Sequence, residues 1–323
     1  MIMTLLATQK QSQPKQVEPK PQRVQTPTPK PQQQTFDAEQ HLADRKARAD
    51  SGWVENPQLP GLRTIEINIT ELCNRTCSFC PRSDPAVYAN QKLFMSKETA
   101  SNLGKQLAEA KFDGEIHVTG FGEPMTHPRI IELIKAITFH WSDCIEVTTN
   151  GDRLETDARL INDLYAAGVS RLTIDSYDGA EQYQRYVHMM RHWPEDRWRI
   201  RNHYDDPNKD SDQLIAEYNF NNRAGNSAKG EVYENQCYLP FYKTMIDWNG
   251  NIVLCCNDWQ RAAGTFGNID QMTLSELWTA DSLTNIRKQL AEGQRLGPAC
   301  GKCNIQGTKF GQASFDLLTS EFV

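Results

Sequence analysis

The sequence predicts an α/β fold built on a parallel sheet, followed by a small C-terminal unit of β-hairpin and helices. Three observations predict it. From residue 64 onward, apolar runs of period two alternate with stretches of helical period, which is the signature of strand, crossover helix, strand units. The residues with obvious chemistry follow the strand-like runs, where ligands sit in parallel α/β folds. Nearer the C-terminus the pair Asn249-Gly250 separates two apolar runs, a strong hairpin signal.

Bulk properties narrow the class. A chain of 323 residues is long enough for one large or two ordinary domains. Its net charge of −6 offers no general attraction to nucleic acid or to an anionic membrane. No run approaches the roughly 18 apolar residues that a membrane helix needs, and the short apolar opening Met1 to Ala7 lacks the basic region and length of a signal sequence. Nine cysteines could suggest a disulfide-bonded secreted protein, but their grouping argues for metal binding in a reducing compartment, which places the protein in the cytoplasm.

Taken in order, residues 9–35 are Gln, Pro and Lys with scattered Thr and Val. Such a composition cannot bury enough apolar surface to offset the entropy of ordering, and predicts a disordered tail. Residues 36–50 are rich in helix formers and predict a short polar helix, and Pro57 and Pro60 then break the chain before the first strand. The expected organisation is therefore a tail with a short helix over 1–60, a core over 61–230 and a C-terminal unit over 231–323. Within the core, Ile65, Ile67 and Ile69 mark a strand over 64–70, and Ser96 is placed to cap a helix reaching about Ala110. Strands at 115–119, 144–149 and 171–175 alternate with helices at 128–139, 156–167 and 181–192. Further strands are expected at 198–201 and 214–218. In the C-terminal unit, a hairpin over 243–256 precedes helices at 274–278 and 282–293.

Directly after the first strand stands Cys73-Asn-Arg-Thr-Cys77-Ser-Phe-Cys80. Three thiolates at CxxxCxxC spacing hold three irons of a 4Fe-4S cube and leave one iron open to an outside ligand. The competing readings are a zinc knuckle, which normally needs four ligands, and a disulfide with one thiol left over. With the aromatic Phe79 before the last cysteine, the stretch resembles the signature of the radical S-adenosylmethionine (radical SAM) enzymes. The resemblance implies a partial (β/α)6 TIM-like barrel. It also implies that SAM binds the open iron and is reductively cleaved to a 5'-deoxyadenosyl radical that abstracts hydrogen from a substrate.

The same resemblance gives roles to residues after the later strands. Gly120-Phe-Gly122-Glu123-Pro124 follows the second strand; by itself it is a tight turn carrying one carboxylate. It resembles the family's GGEP motif, which implies that Gly122, Glu123 and Pro124 meet the SAM amino group, with Phe121 standing where glycine is common. Thr149 and Asn150, in a turn after the third strand, resemble residues near the SAM ribose, and Ser176 after the fourth resembles a carboxylate contact. Arg223, in a polar stretch, is a fork-shaped donor suited to SAM or substrate, or simply a solvated loop residue. His188 and His192 stand four apart on one helical face, yet no third ligand accompanies them, so they read as surface or packing histidines.

A second cysteine set follows. Cys237, Cys255 or Cys256, Cys300 and Cys303 supply four thiolates, enough to close an iron-sulfur cluster or to hold zinc. Cys255 and Cys256 are neighbours and face opposite sides of a regular strand, so only one serves. The arrangement resembles the SPASM/twitch extension of radical SAM enzymes, and that resemblance selects Cys255. No cysteine follows Cys303, so the twitch form with one auxiliary 4Fe-4S cluster fits better than full SPASM. Cys144 reads as an ordinary buried thiol.

The resemblance implies a radical SAM oxidoreductase whose auxiliary cluster takes up the second electron, with a reducing partner such as flavodoxin or ferredoxin. Twitch-containing members include an aminocyclitol dehydrogenase and a molybdenum-cofactor cyclase, while SPASM members modify peptides and proteins. The substrate is expected to be a small polar metabolite, since no separate peptide-recognition domain is apparent, with a peptide as the alternative. A non-catalytic electron carrier would explain the cysteines but gives no role to the open iron or to Glu123.

Overall fold

The computed structural model describes residues 43, 46–50, 56–227 and 231–322. The low-complexity tail expected over 9–35 lies outside the described residues. Of the polar helix expected over 36–50, residues 46–50 are helical.

Eight strands form one sheet in the order β5-β4-β3-β2-β1-β6-β7-β8. The strands are β1 (Thr64–Ile67), β2 (Glu115–Val118), β3 (Cys144–Thr149), β4 (Arg171–Ser176), β5 (Trp198–Asn202), β6 (Lys243–Ile246), β7 (Asn251–Val253) and β8 (Thr265–Asn268). Every pairing from β5 across to β6 is parallel, which gives an open, partial-barrel α/β core. β7 and β8 then add antiparallel strands, with Gly250 at φ +83° turning the β6–β7 hairpin. β6 is thus both the sixth parallel strand, beside β1, and the first arm of the hairpin.

One expected strand is corrected. Residues 214–217 belong to a helix, Ser211–Glu217, with Tyr218 at its C-cap, rather than to a strand. Asp210 accepts from the Gln213 backbone N–H while the Gln213 side chain accepts from the Asp210 N–H, and this reciprocal capping box nucleates a helical turn that a period-two reading overlooks. β8 was not anticipated; its run Thr-Phe-Gly-Asn has too little apolar alternation to signal a strand.

Strand parity divides the sheet into two faces. Ile65, Ile67, Ile116, Val118, Ile145, Val147, Leu172 and Ile174 are buried in one apolar cluster with Leu103, Leu107, Leu133, Ile134 and Leu164 of the crossover helices. The helix Lys97–Glu109 begins at Ser96, whose side chain accepts from the Thr99 N–H as the sequence predicts. The intervening strand positions are polar, and several pair with one another: Lys243 donates to Glu66 Oε1 at 2.8 Å, and Thr173 and Arg171 donate to Glu146 at 2.8 and 3.2 Å. Burying such groups is tolerable only because they are paired. Among the described residues no helix is long and apolar enough to cross a membrane.

Candidate active site

The loop after β1 carries Cys73, Cys77 and Cys80 into a cavity of about 980 Å³ at the C-terminal ends of the parallel strands. Its shape is held by side-chain clamps. The Cys73 N–H donates to Asn90 Oδ1 and Asn90 Nδ2 returns a bond to the Cys73 carbonyl, both at 2.8 Å. Ser78 donates through its N–H and hydroxyl to Asp205 at 3.1 and 2.6 Å. Arg75 spans Asp152 and Asp178, each at 2.8 Å. Phe79 is buried among Tyr177, Tyr218 and Phe220, with its ring 5.2 Å from that of Phe220. Burial pushes the Cys73 thiol up to about 11 and raises Cys77 and Cys80 as well, so binding a metal here must release protons.

The same cavity is lined by Gly122, Glu123, Pro124, Thr149, Asn150 and Arg223. Glu123 is fixed by three donors: the Thr149 hydroxyl at 2.6 Å, the Asn150 N–H at 2.8 Å and the Met125 N–H at 2.9 Å. Burial nevertheless wins over these bonds and lifts its carboxyl to about 7. Gly122 is required by close approach, since a Cβ there would lie 2.1 Å from the Thr70 carbonyl oxygen. Phe121 departs from the expected glycine without filling the cavity. It packs into a separate cluster, 5.0 Å from Trp259 and 6.1 Å from Tyr88, while its N–H donates to Asn68.

Ser176 is the one expected SAM contact that the cavity does not include. It is fully buried, and its hydroxyl meets Gln182 Oε1 at 3.2 Å. The alternation of β4 gives the cavity wall to Asp175 instead, where it accepts from Arg201 at 2.7 Å. Asp175, Arg201 and His203 were missed by sequence reasoning because they meet only when β4 and β5 pair, Asp175 opposite Arg201 and His203 just past the end of β5; the shared parity of 201 and 203 was the available signal.

A second cavity, of about 390 Å³, is lined by Cys237, Cys255, Cys300 and Cys303. Cys256 points elsewhere, toward Glu66 and the aromatic cluster of Tyr88, Phe121 and Trp259. Gly307 packs directly against Cys237: a Cβ there would come within 2.5 Å of the Cys237 sulfur. Burial raises the four thiols, Cys237 to about 11 and Cys300 to about 12. All nine cysteines are free thiols. Among the described residues no three His, Cys, Asp or Glu side chains gather closely enough to hold a single metal ion, whereas a cube spreads its thiolates around a larger body.

Residues 67–203 match the family model of the radical SAM superfamily, and residues 237–304 match that of an iron-sulfur cluster-binding domain, SPASM. Residues 67–203 thus carry a radical SAM domain and residues 237–304 an iron-sulfur cluster-binding domain. The chain is a radical SAM enzyme with an iron-sulfur SPASM domain, so the electron-carrier alternative falls away. Among curated proteins it is similar to the S-adenosyl-L-methionine-dependent 2-deoxy-scyllo-inosamine dehydrogenase of Niallia circulans, 26% identical over 261 residues, covering 74% of this chain and 92% of that protein. GTP 3',8-cyclase of Microcystis aeruginosa is 29% identical over 118 residues, 35% of each chain. Among solved structures, BtrN with AdoMet and 2-DOIA aligns at a TM-score of 0.64 and 23% identity, covering 77% of this chain and 96% of that one. The anSMEcpe structure with bound AdoMet aligns at 0.50 and 11% identity, covering 80% and 96%. These two structural matches establish the fold.

The thiols fit iron-sulfur binding in this radical SAM enzyme by chemistry and by grouping: three share the first cavity, and four share the second. What sequence reasoning did not anticipate is the ionic network joining the SPASM segment to the first cysteine loop. Arg261 binds Glu71, Tyr88 and Asp247, the last at 2.8 Å through Nε. Glu71 also accepts from Tyr88 at 2.6 Å, Asn68 at 2.8 Å and Arg82 at 3.2 Å, and Arg82 holds the Phe121 carbonyl at 2.6 Å. Glu71 and Arg82 flank the CxxxCxxC motif, which was the one local hint. Because Glu71 and Asp247 are almost wholly buried, Arg261→Met is expected to cost about 3 kcal/mol by leaving their charge undercompensated. Urea unfolding measures it; a loss below about 0.5 kcal/mol, typical of surface pairs, would contradict the buried-network account.

Proposed function

We propose that the protein is a radical SAM dehydrogenase oxidising a small polar alcohol, with residues 61–230 as the radical-generating core and 231–323 as the auxiliary iron-sulfur unit. One observation carries this reading. A third cavity, about 1810 Å³, borders both cysteine cavities, sharing Phe220, Arg223 and Trp259 with the first and Leu239, Asn257 and Ile305 with the second. A substrate in it is flanked by both thiol sets. The similarity to an inosamine dehydrogenase over most of both chains supports the same class of reaction.

In this reading Cys73, Cys77 and Cys80 hold the first 4Fe-4S cluster, while Cys237, Cys255, Cys300 and Cys303 hold the auxiliary one. When bound, the first cluster and SAM supply a 5'-deoxyadenosyl radical and the auxiliary cluster supplies an electron sink. The chain's own part is to bind, orient and exclude water. Gly122 and Pro124 bring the backbone close, Glu123 accepts from the SAM amino group, and Phe79, Thr149, Asn150 and Arg223 line the remainder of the SAM cavity. Ser176 shapes that wall from behind, through Gln182, which also accepts from the N–H groups of Tyr177 and Asp178. Electrons come from a flavodoxin- or ferredoxin-type donor in the cytoplasm, a reducing compartment that suits a chain with no cysteine in a disulfide. The test is anaerobic reconstitution, reduction and incubation with SAM and a small polyol. The expected result is 5'-deoxyadenosine together with a product lacking two hydrogens; failure to release 5'-deoxyadenosine overturns the reading.

Glu123 gives a pH-dependent expectation. Its carboxyl is raised to about 7, so below that pH a proton must leave before it can accept from SAM. SAM affinity of the wild type therefore falls as pH drops below about 7, by about tenfold per unit from this group. Glu123→Gln cannot titrate; it is expected to bind SAM roughly tenfold more weakly at neutral pH and to lack this part of the slope. Calorimetric titration across pH checks it, and equal slopes for the two proteins would contradict the assignment.

A further inference from the structure

Two buried side chains in the large cavity carry strong hydrogen-bonding capacity that no conventional donor or acceptor among the described residues takes up. Glu66, on β1, accepts from the Lys243 ammonium through Oε1 at 2.8 Å, while Oε2 has no hydrogen-bond partner among the described residues. The Cys256 thiol, a weak donor, lies beside this carboxylate. Asn257 is 1% exposed, and neither its Oδ1 nor its Nδ2 has a partner among the described residues. Buried polar groups are nearly always paired, and leaving one unpaired is costly. Both side chains line the same cavity, and Asn257 also lines the four-cysteine one.

The charge of the wall narrows what can satisfy them. Lys243 already neutralises Glu66, and Asp175 matches Arg201 at 2.7 Å. Arg223 and Lys309 also line the cavity, and Glu66 is its one carboxylate among the described residues. An ammonium group entering here meets excess positive charge and no uncompensated carboxylate. A hydroxyl suits both sites: it donates to Glu66 Oε2 without adding charge, and it both donates to and accepts from an amide.

We propose that Glu66 and Asn257 are specificity-determining substrate contacts, and that they select a neutral polyol held through two of its hydroxyls in preference to an amine. This inference rests on the dehydrogenase reading, since it fills the cavity between the two thiol sets with that reaction's substrate. Oε2 takes one hydroxyl at the β1 side, and the Asn257 amide takes another on the side facing the four cysteines.

Isothermal titration of the cluster-loaded, SAM-bound protein tests it, with scyllo-inositol as the neutral probe and 2-deoxy-scyllo-inosamine as the amine. Scyllo-inositol is expected to bind at least about tenfold more tightly than the amine. Glu66→Gln and Asn257→Ala are each expected to weaken it by about tenfold or more, with iron content and SAM affinity unchanged. Because Glu66→Gln removes the carboxylate charge opposite the Lys243 ammonium, the paired change Glu66→Gln with Lys243→Met keeps the site neutral and is expected to show the same loss. Equal or tighter binding of the amine, no binding of scyllo-inositol by the wild type, or unchanged affinity in Asn257→Ala each overturns the inference; the last result means that water alone fills the two sites. If the wild type still releases 5'-deoxyadenosine, the dehydrogenase reading survives such a result; if it releases none, both fall.

Discussion

A variant with Cys73, Cys77 and Cys80 all changed to alanine is expected to keep about four of the wild type's about eight irons per chain and to release no 5'-deoxyadenosine. The expectation follows from how the thiols are partitioned. The three lie on one loop lining the strand-end cavity, and the other four line a separate cavity built by the C-terminal segment. Emptying the first should leave the second folded, because its walls come from Cys237 to Pro240, the end of the hairpin at Leu254 to Asp258 and the Ala299 to Ile305 turn rather than from the first loop. Iron and sulfide analysis checks the retention, and quantification of 5'-deoxyadenosine checks the loss. A wild type with only about four irons would remove the auxiliary cluster from the account.

The second large effect separates two adjacent cysteines. Cys255→Ala is expected to lose about four irons and the product, while Cys256→Ala keeps them. Cys255 faces Cys237, Cys300 and Cys303 across the small cavity, whereas Cys256 is turned toward Glu66 and Met245. A thiolate missing from a closed four-ligand site opens an iron to solvent; a thiol missing from beside the Lys243-paired Glu66 carboxylate leaves only a small void. SAM cleavage should persist in both variants, since the first cysteine loop is untouched. Loss of iron in Cys256→Ala with retention in Cys255→Ala would reverse the assignment.

Much of this architecture was legible in the chain because it is written in local periods. The strands at 115–118, 144–149 and 171–176 alternate cleanly, Ser96 caps its helix, and Asn249-Gly250 turns its hairpin. Cysteine spacing was legible for the same reason, since a CxxxCxxC loop is a local object. The helix Ser211–Glu217 was misread as a strand because Leu214 and Ile215 are its buried residues and the signal lay in the Asp210 and Gln213 cap. Ser176 shows a finer limit: a one-residue shift in parity decides whether a side chain meets the cavity or the helix behind it, and sequence cannot fix that parity at a strand's end. What could not be read was long-range. Arg261 reaches Glu71 across 190 residues, and Lys243 meets Glu66 across 177. Such pairs depend on β1 and β6 being neighbours in the sheet, and no local pattern states that adjacency.

The most direct test of hydrogen abstraction by this protein is label transfer. Incubated anaerobically with reductant, SAM and a polyol deuterated at its carbinol carbons, the wild type is expected to place deuterium in 5'-deoxyadenosine in step with formation of the ketone. 5'-Deoxyadenosine that carries no deuterium while the ketone accumulates would contradict the account.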